Sequence, residues 1–422
     1  MPRYPGLIST VGLSEEPVIY SIRQMDAQYV AFVCTPDSER KTLGAIVAAT
    51  GLHPAKWRKY PVADTPEHIG KLCVEFHNAF RWLTEECGLR PDKIAADPTA
   101  GRKWMSSGAT MVAAFLGLPM HYVDAQYVGG KPDPASMKVV ELGNAYDQTG
   151  FIEAERGRLF LNAFEFAAAS KVFDRIRPSL STEADLYAGL AELARVLDRW
   201  DRFEHYRDSL APDFGTAFVR LRRYLHSLPV ANPRFAGFVE EAQTLAAAVD
   251  SLHADTRPAA GFTVDVFENA RRRVAQGRHD DACGRLYRTL ESVSQYCLAT
   301  EYGLDSAKPD YQRLSPAQQQ AVRAALGDLP KAIDLAKGQR LLAALGHRLG
   351  KALLAPNGTL KFAGLLEDRD HSILAHGFEP IPVKRVQQFC ERLEGLLSEA
   401  LGEEFARWRD RLCVPELPPI LG

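Results

Sequence analysis

The chain has 422 residues, with 51 Lys and Arg against 53 Asp and Glu, 46% apolar and 25% charged residues. That is the composition of an ordinary globular protein of two or three domains at roughly 150 residues each. A formal net charge of -2 excludes wholesale coating of nucleic acid and makes any nucleotide site a local matter. No apolar run reaches the ~20 residues of a membrane span, and MPRYPGLIST lacks the parts of a signal peptide, so a cytoplasmic protein without membrane contact is expected.

From Pro5 to about Asn144 short β-rich runs alternate with amphipathic stretches. LISTVG, YVAFVCT, WRKYPVA, KIAAD and MHYVDA read as strands, and the segments from Glu16, Ser38, Pro66 and Trp104 read as helices. Such alternation builds a parallel sheet with helices on both faces and ligands at the carboxyl ends of the strands. GGKPDPAS reads as a loop and MKVVEL as one further strand. From Phe151 onward the strand signals stop. The chain becomes rich in Ala, Leu, Arg and Glu, with breakers at Pro178, Pro212, LPVANPR and ADTRPAAG. Ala282, Leu286, Leu290, Val293 and Cys297 form one apolar stripe, and Phe389, Leu393, Leu396, Leu397, Leu401, Phe405 and Trp408 form another along a last long helix. The cysteines, Cys34, Cys73, Cys87, Cys283, Cys297, Cys390 and Cys413, are odd in number and form no Cys-x-x-Cys pair. Their spacing reads as small buried hydrophobes in a reducing compartment.

Familiar chemical signatures are absent: there is no glycine-rich dinucleotide fingerprint, Walker lysine loop, HExxH or nucleophile elbow. PDSERK (36–41) mimics a metal-nuclease pattern only superficially, because its acids lie two residues apart at a helix start. No credible cluster of metal ligands emerges. DPTAGRKWMSSGATMVAAF is more informative. It sets Thr99, Gly101, Arg102, Lys103 and Ser106 between a strand end and the start of an apolar helix, where open amides, hydroxyls and two cations suit a phosphodiester. Thr10, Gly12 and Ser14 in STVGLSEE face it from the first loop.

Near the C-terminus EDRDHSILAHGFEP holds Arg369 and His376 with six residues between them. The same spacing, within one residue, recurs at Arg199 and His205, Arg220 and His226, Arg273 and His279, and Arg340 and His347. Only Arg369 is followed by Asp370, by the apolar Ile373 and Leu374, and by Gly377 and Pro380 that end a helix. Seven helical positions turn about 700° and rise roughly 10 Å. One helix therefore hardly grips one phosphate with both groups, whereas two copies across a two-fold axis do so, which predicts a homodimer.

These stretches resemble a family. DPTAGRKWMS, RHDDACGRLYRTLE (278–291) and RDHSILAHGFEP, taken in this order, resemble the CRISPR-associated ribonucleases of type III systems that join an N-terminal CARF domain to a C-terminal HEPN domain. The resemblance implies an α/β, Rossmann-like CARF domain over 1–150, a helical linker domain over 151–258 and an all-α HEPN ribonuclease domain over 259–422. It implies activation by a cyclic oligoadenylate and cleavage of single-stranded RNA in antiviral defence, with no cofactor. By the motif, Arg369 and His376 carry over as the catalytic pair and Asp370 as the polar residue beside them. Thr10, Thr99, Gly101, Arg102, Lys103 and Ser106 carry over as ligand contacts, beside Gly12 and Ser14. Relatives often have paired glycines where this chain has Ala100 and Gly101. A ligand on a two-fold axis should share that symmetry, which favours rings of four or six adenylates. The two compact loops point to cyclic tetra-adenylate, with cyclic hexa-adenylate the other candidate.

Arg285, Arg288 and Glu291, spaced three apart, suit either an RNA groove or an ion-paired face. Two other functions fit part of the pattern: a cyclic-nucleotide sensor that catalyses nothing, and a ring nuclease that cleaves its own activator with Lys103 or Ser106. Glu394, Glu399, Glu403 and Glu404 on the last helix argue against specific DNA binding.

Overall fold

The computed structural model describes residues 4–129, 131–143, 150–176, 181–228, 230–255, 258–354, 361 and 378–420. The contacts fall into two compact units, one up to Gly150 and one from Phe151 onward.

The first unit follows β1 (Gly6–Val11), α1 (Glu16–Met25), β2 (Tyr29–Cys34), α2 (Gly44–Thr50), β3 (Trp57–Pro61), α3 (Ile69–Arg81), β4 (Ile94–Asp97), α4 (Lys103–Phe115), β5 (Met120–Asp124) and β6 (Lys138–Leu142). The sheet order is β3-β2-β1-β4-β5-β6. Neighbours are parallel from β3 to β5. The last strand departs from the parallel sheet read in the sequence, since β6 runs antiparallel to β5 with Met120 opposite Leu142. A short hairpin, Tyr127–Val128 with Lys131–Pro132, turns the chain back locally, so no crossover helix is needed.

The central strands are buried on both faces, which is why they read as continuous apolar runs. Adjacent residues enter opposite layers. Ile8, Ala31 and Val33 pack with Leu72 and Phe76 of α3 and with Met105 and Ala109 of α4. Leu7, Val30 and Phe32 pack with Val18 and Ile22 of α1 and Ile46 of α2. The sheet is therefore doubly wound, as an α/β domain of this kind requires.

The second unit is helical: α5 (Phe151–Asn162), α6 (Phe166–Arg175), α7 (Ser181–Asp201), α8 (Ala211–Ser227), α9 (Pro233–Ala254), α10 (Ala260–Ala275), α11 (His279–Tyr302), α12 (Pro316–Leu326), α13 (Leu335–Ala344), α14 (Arg348–Leu353), α15 (Val383–Leu401) and α16 (Glu403–Arg411). One apolar core runs from Ala154 to Leu417 and includes every member of the α11 stripe. The last stripe belongs to two helices rather than one. Gly402, at φ 58 and ψ -129, ends α15 and starts α16 in a backbone region that L side chains avoid. Leu396 of that stripe is only half-buried.

A buried ionic network ties α7 to α10. Asp201 accepts from Arg272 Nε at 2.8 Å, from Arg273 and from Asn269 Nδ2 at 3.0 Å. The Arg272 guanidinium lies 4.1 Å from the Trp200 ring centroid, and Trp200 Nε1 donates to Asp265 at 3.0 Å. The C-terminal tail is clamped to the first helix of the unit, where Asn162 donates to the Leu417 carbonyl at 3.0 Å and accepts its amide at 2.9 Å. The seven cysteines are all free. Cys413 is exposed, which corrects the expectation that all are buried.

No helix among the described residues is long and apolar enough to cross a membrane.

Candidate functional site

In the order β3-β2-β1-β4-β5 the chain leaves β1 towards one edge and returns through β4 towards the other. The crevice beyond the carboxyl ends of β1 and β4 is the switch point at which such sheets bind ligands. Two close approaches join its two loops, and Thr42, from the segment after β2, fastens the first loop. The Thr10 hydroxyl donates to the Ala100 carbonyl, and Thr42 Oγ1 donates to the Gly12 carbonyl at 2.8 Å. A β-carbon on Gly12 would lie 2.6 Å from the Gly101 amide nitrogen. Gly101 itself sits at φ +99, so glycine is required at both positions.

The second loop is shaped by Asp97. Its Oδ1 accepts the Thr99 amide at 2.9 Å and the Thr99 hydroxyl at 2.5 Å, an Asx-type turn. The Thr99 hydroxyl in turn accepts the Val123 amide at 2.8 Å and so ties the loop to β5. Asp97 is 1% exposed, and burial pushes its carboxyl above the usual range. His121, 4% exposed, is held below the usual histidine range by the same cause, against the pull of Glu141 and Asp97.

Above this framework lies a cavity of about 440 Å³ lined by Gly12, Leu13, Thr35, Ser38, Gly101 and Arg102, among others. Thr10 is fully buried, and the Thr99 hydroxyl is committed on both sides, so both act as positioning groups below the pocket. Ser14 is exposed and lies outside the lining. Arg102 caps α4 by position only, without a side-chain cap bond. The first amides of the helix, at Lys103 and Trp104, have no backbone acceptor among the described residues, as at any helix start. The Arg102 guanidinium forms a two-pronged pair with Asp64, Nε to Oδ1 and Nη2 to Oδ2, each 2.9 Å. Lys103 is exposed with no ion-pair partner among the described residues, and Ser106, one turn on, is half-buried.

Sequence reasoning missed Thr35, Ser38 and Asp64. Thr35 immediately precedes PDSERK and Ser38 lies within it, and their signal was the capping pattern: Thr35 Oγ1 accepts the Ser38 amide while Ser38 Oγ accepts the Thr35 amide. Asp37 beside them is held below the usual carboxylate range by Lys41 and Arg40, at 2.9 and 2.8 Å, through hydrogen bonds and charge.

In the helical unit the competing Arg/His pairs have separate structural roles. Arg199 binds Glu204 and Asp213, His205 lies 3.2 Å from Asp265, and Arg273 binds Asp201. His347 Nε2 lies 2.8 Å from Glu301 Oε1, with Cys297 close by. Since His347 Nδ1 accepts the Leu349 amide at 3.2 Å, the ring hydrogen sits on Nε2 and points at Glu301. Burial pushes the Cys297 thiol up to about 12. A metal held there would require that helix cap to break. Arg285 donates to Asn269 at 2.6 Å and pairs with Asp281. Arg288 Nη1 reaches Glu291 at 2.8 Å. Arg369, Asp370 and His376 lie outside the described residues.

Residues 254–399 match the family model of the Csm6 HEPN domain. A curated relative, the CRISPR system endoribonuclease Csm6 of Thermus thermophilus, is 28% identical over 427 aligned positions that cover 93% of this chain and 84% of its own length. The chain is thus similar to a CRISPR endoribonuclease over most of its length and to the Csm6 HEPN domain over 254–399.

Among solved structures, Enterococcus italicus Csm6 bound to cyclic hexa-2'-fluoro-hexa-dAMP aligns over 96% of this chain and 97% of its own, at 10% identity and a TM-score of 0.49. Can2 from Sulfobacillus thermosulfidooxidans in complex with cyclic tetra-adenylate aligns over 72% and 70%, at 13% identity and a TM-score of 0.24. The HEPN match begins at the end of α9, just before α10.

Proposed function

We propose that this chain is an endoribonuclease of single-stranded RNA, activated by a cyclic oligoadenylate in type III CRISPR antiviral defence. The observation that carries the reading is the Csm6 HEPN match over 254–399, which contains Arg369, Asp370 and His376 in RDHSILAH. Residues 1–150 sense the activator, 151–258 connect, and 259–422 cleave. Two copies meet across a two-fold axis, so that the Arg369 of both copies and the His376 of both share one composite site.

The chemistry needs no metal. A ribose 2'-hydroxyl attacks its own phosphodiester and leaves a cyclic phosphate on the upstream fragment. His376 moves the proton, because imidazole titrates near neutrality, and the Arg369 guanidinium holds the charge of the transition state. Asp370 stands beside them as a polar neighbour.

At the CARF site the open amides of α4, Gly12, Gly101, Arg102, Lys103 and Ser106 bind the activator's phosphodiesters. Thr10 and Thr99 set the loops, and Ser14 flanks the entrance. A four-membered ring suits the compact loops, with the six-membered ring the alternative.

Cleavage of labelled RNA should be followed with cyclic tri-, tetra-, penta- and hexa-adenylate, with and without EDTA. Cleavage with an even-membered ring, undiminished by chelation and abolished in His376→Ala with activator binding intact, supports the reading. Cleavage with no ring, or cleavage lost to EDTA and restored by a divalent ion, rejects it.

A further inference from the structure

A second cavity, of about 470 Å³, opens in the helical unit between the C-terminal half of α11 and the segment that follows it. Its volume suits a single nucleotide, within the roughly 300–1,000 Å³ of small-molecule sites. Two guanidinium groups line it. Arg288 projects from α11 and packs 5.3 Å from the Phe262 ring centroid. Its Nη1 is anchored by Glu291 at 2.8 Å and by Gln295 Oε1 at 3.1 Å, so the planar group is held in place.

Arg313 comes from the turn Tyr311–Arg313, where its ion pair is a long one, 3.5 Å to Asp310, and its side chain is 62% exposed. It lies across the end of α11. Gly303, at φ +64, makes this approach feasible, since a β-carbon there would sit 2.9 Å from Arg313 Nη1. Ser306 Oγ, in the same lining, is buried and makes no hydrogen bond among the described residues.

The walls therefore hold two cations for phosphate oxygens, with the Asp305 carboxylate also in the lining, an aromatic ring that already packs on Arg288 and Tyr206 for the side of a base, and an unused hydroxyl together with Gln295 for polar edges. Recognition of single-stranded RNA uses these groups in combination: stacking on aromatic and guanidinium faces, with charge-assisted bonds to the backbone. The cavity also lies within the matched segment 254–399.

We propose that this cavity seats one nucleotide of the single-stranded RNA substrate, with Arg288 and Arg313 on its phosphates and Phe262 against its base; the proposal rests on the ribonuclease reading above. Arg288 and Arg313 are binding residues here, since neither performs proton transfer.

The test uses the full-length chain, a labelled single-stranded RNA and the variants Arg288→Ala, Arg313→Ala and their combination. Anisotropy reads RNA affinity without activity, and activated cleavage reads kcat and KM. Each single change should raise Kd and KM about tenfold, the scale of one charge-assisted contact, with kcat within about twofold. Each should also reduce the salt dependence of binding by about 0.7 in the log-log slope, the share of one phosphate on a single strand. Arg288→Lys should recover part of the affinity.

Unchanged Kd, KM and salt slope in the double variant overturn the proposal. So does a fall in kcat and melting temperature with affinity unchanged, which marks a structural role. RNA binding that responds as described, in a wild type that cleaves nothing with any cyclic oligoadenylate, keeps the cavity and overturns the ribonuclease reading instead.

Discussion

The guanidinium of Arg102 is held by Asp64 through two parallel 2.9 Å contacts at the rim of the switch-point cavity. The sequence offers that cation to a phosphate, yet the fold already gives it a carboxylate of matching geometry. On the activator site proposed above, a phosphate that takes Arg102 has to displace Asp64 or share the guanidinium with it. Both side chains are well exposed, 59% and 40%, so the pair adds only about 0–1 kcal/mol to stability and is free to exchange partners.

Asp64→Asn should therefore tighten binding of cyclic tetra-adenylate several-fold and leave the melting temperature within about a degree. Arg102→Ala should weaken binding by roughly tenfold or more. In the double variant the Asp64 effect should vanish. Isothermal titration of the four proteins reads the coupling, and an Asp64→Asn gain that persists without Arg102 would show that the pair does not gate the site.

Gly12→Ala places a methyl group against the Gly101 backbone, which cannot rotate away as a side chain would. The expected cost is about 1–3 kcal/mol, as for other overpacked sites, together with loss of activator affinity as the two loops part. Ser14→Ala, outside the cavity lining, should change neither. Thermal melts and titrations of the two variants would decide this, and a Gly12→Ala protein with normal affinity would remove the loop contact from the site.

Asp201 neutralises two arginines that are 4% and 5% exposed. Burial lowers the Arg273 pKa, and Asp201 acts against it. Asp201→Ala leaves two buried cations without an anion and should destabilise the helical unit by about 3–5 kcal/mol. Replacing all three partners, Asp201→Leu with Arg272→Met and Arg273→Met, should recover most of the loss. Guanidinium unfolding followed by circular dichroism measures both. If Asp201→Ala unfolds like wild type, the network contributes little to stability.

Burial keeps the His121 imidazole neutral in the folded sheet, with its pKa lowered, while in the unfolded chain it titrates near its ordinary ~6.5. Below that pH the unfolded state binds more protons. Stability is thus fully present above about 6.5 and is lost as pH falls towards the folded-state pKa, at up to about 1.4 kcal/mol per pH unit. His121→Phe, which keeps a ring edge-on to Tyr4, now 5.1 Å away, should flatten the pH dependence of the melting temperature between about pH 7.5 and 5.5. Parallel pH profiles for the two proteins would contradict this.

Much of the fold is set by local pattern. Runs such as GLISTV and YVAFVC are β-rich and apolar throughout, and they form central strands because a chain of that kind is comfortable only when covered on both faces. The helix starts at Glu16 and near Trp104 follow from Pro17 and from the glycine-bearing loop before an apolar stretch. The placement of STVG and DPTAGRK at strand ends was legible for the same reason, since a doubly wound sheet puts those loops together. The RDHSILAH motif was legible as spacing and context only, because its residues lie outside those described.

Tertiary structure decided what each side chain does once the loops meet. Thr10 and Thr99 have the chemistry of ligand contacts, but their hydroxyls are used by Ala100, Asp97 and Val123. Asp64 stands 38 residues before Arg102, and no periodicity links the two. Members of the rival Arg/His pairs look alike along the chain but find partners of their own in space, as Arg273 turns to Asp201 and His347 to Glu301. The antiparallel β6 has the same origin. Hydrophobic period and turn chemistry act over a few residues and can be read in order, whereas hydrogen bonds and ion pairs between distant segments depend on which backbones the whole fold brings within about 3 Å.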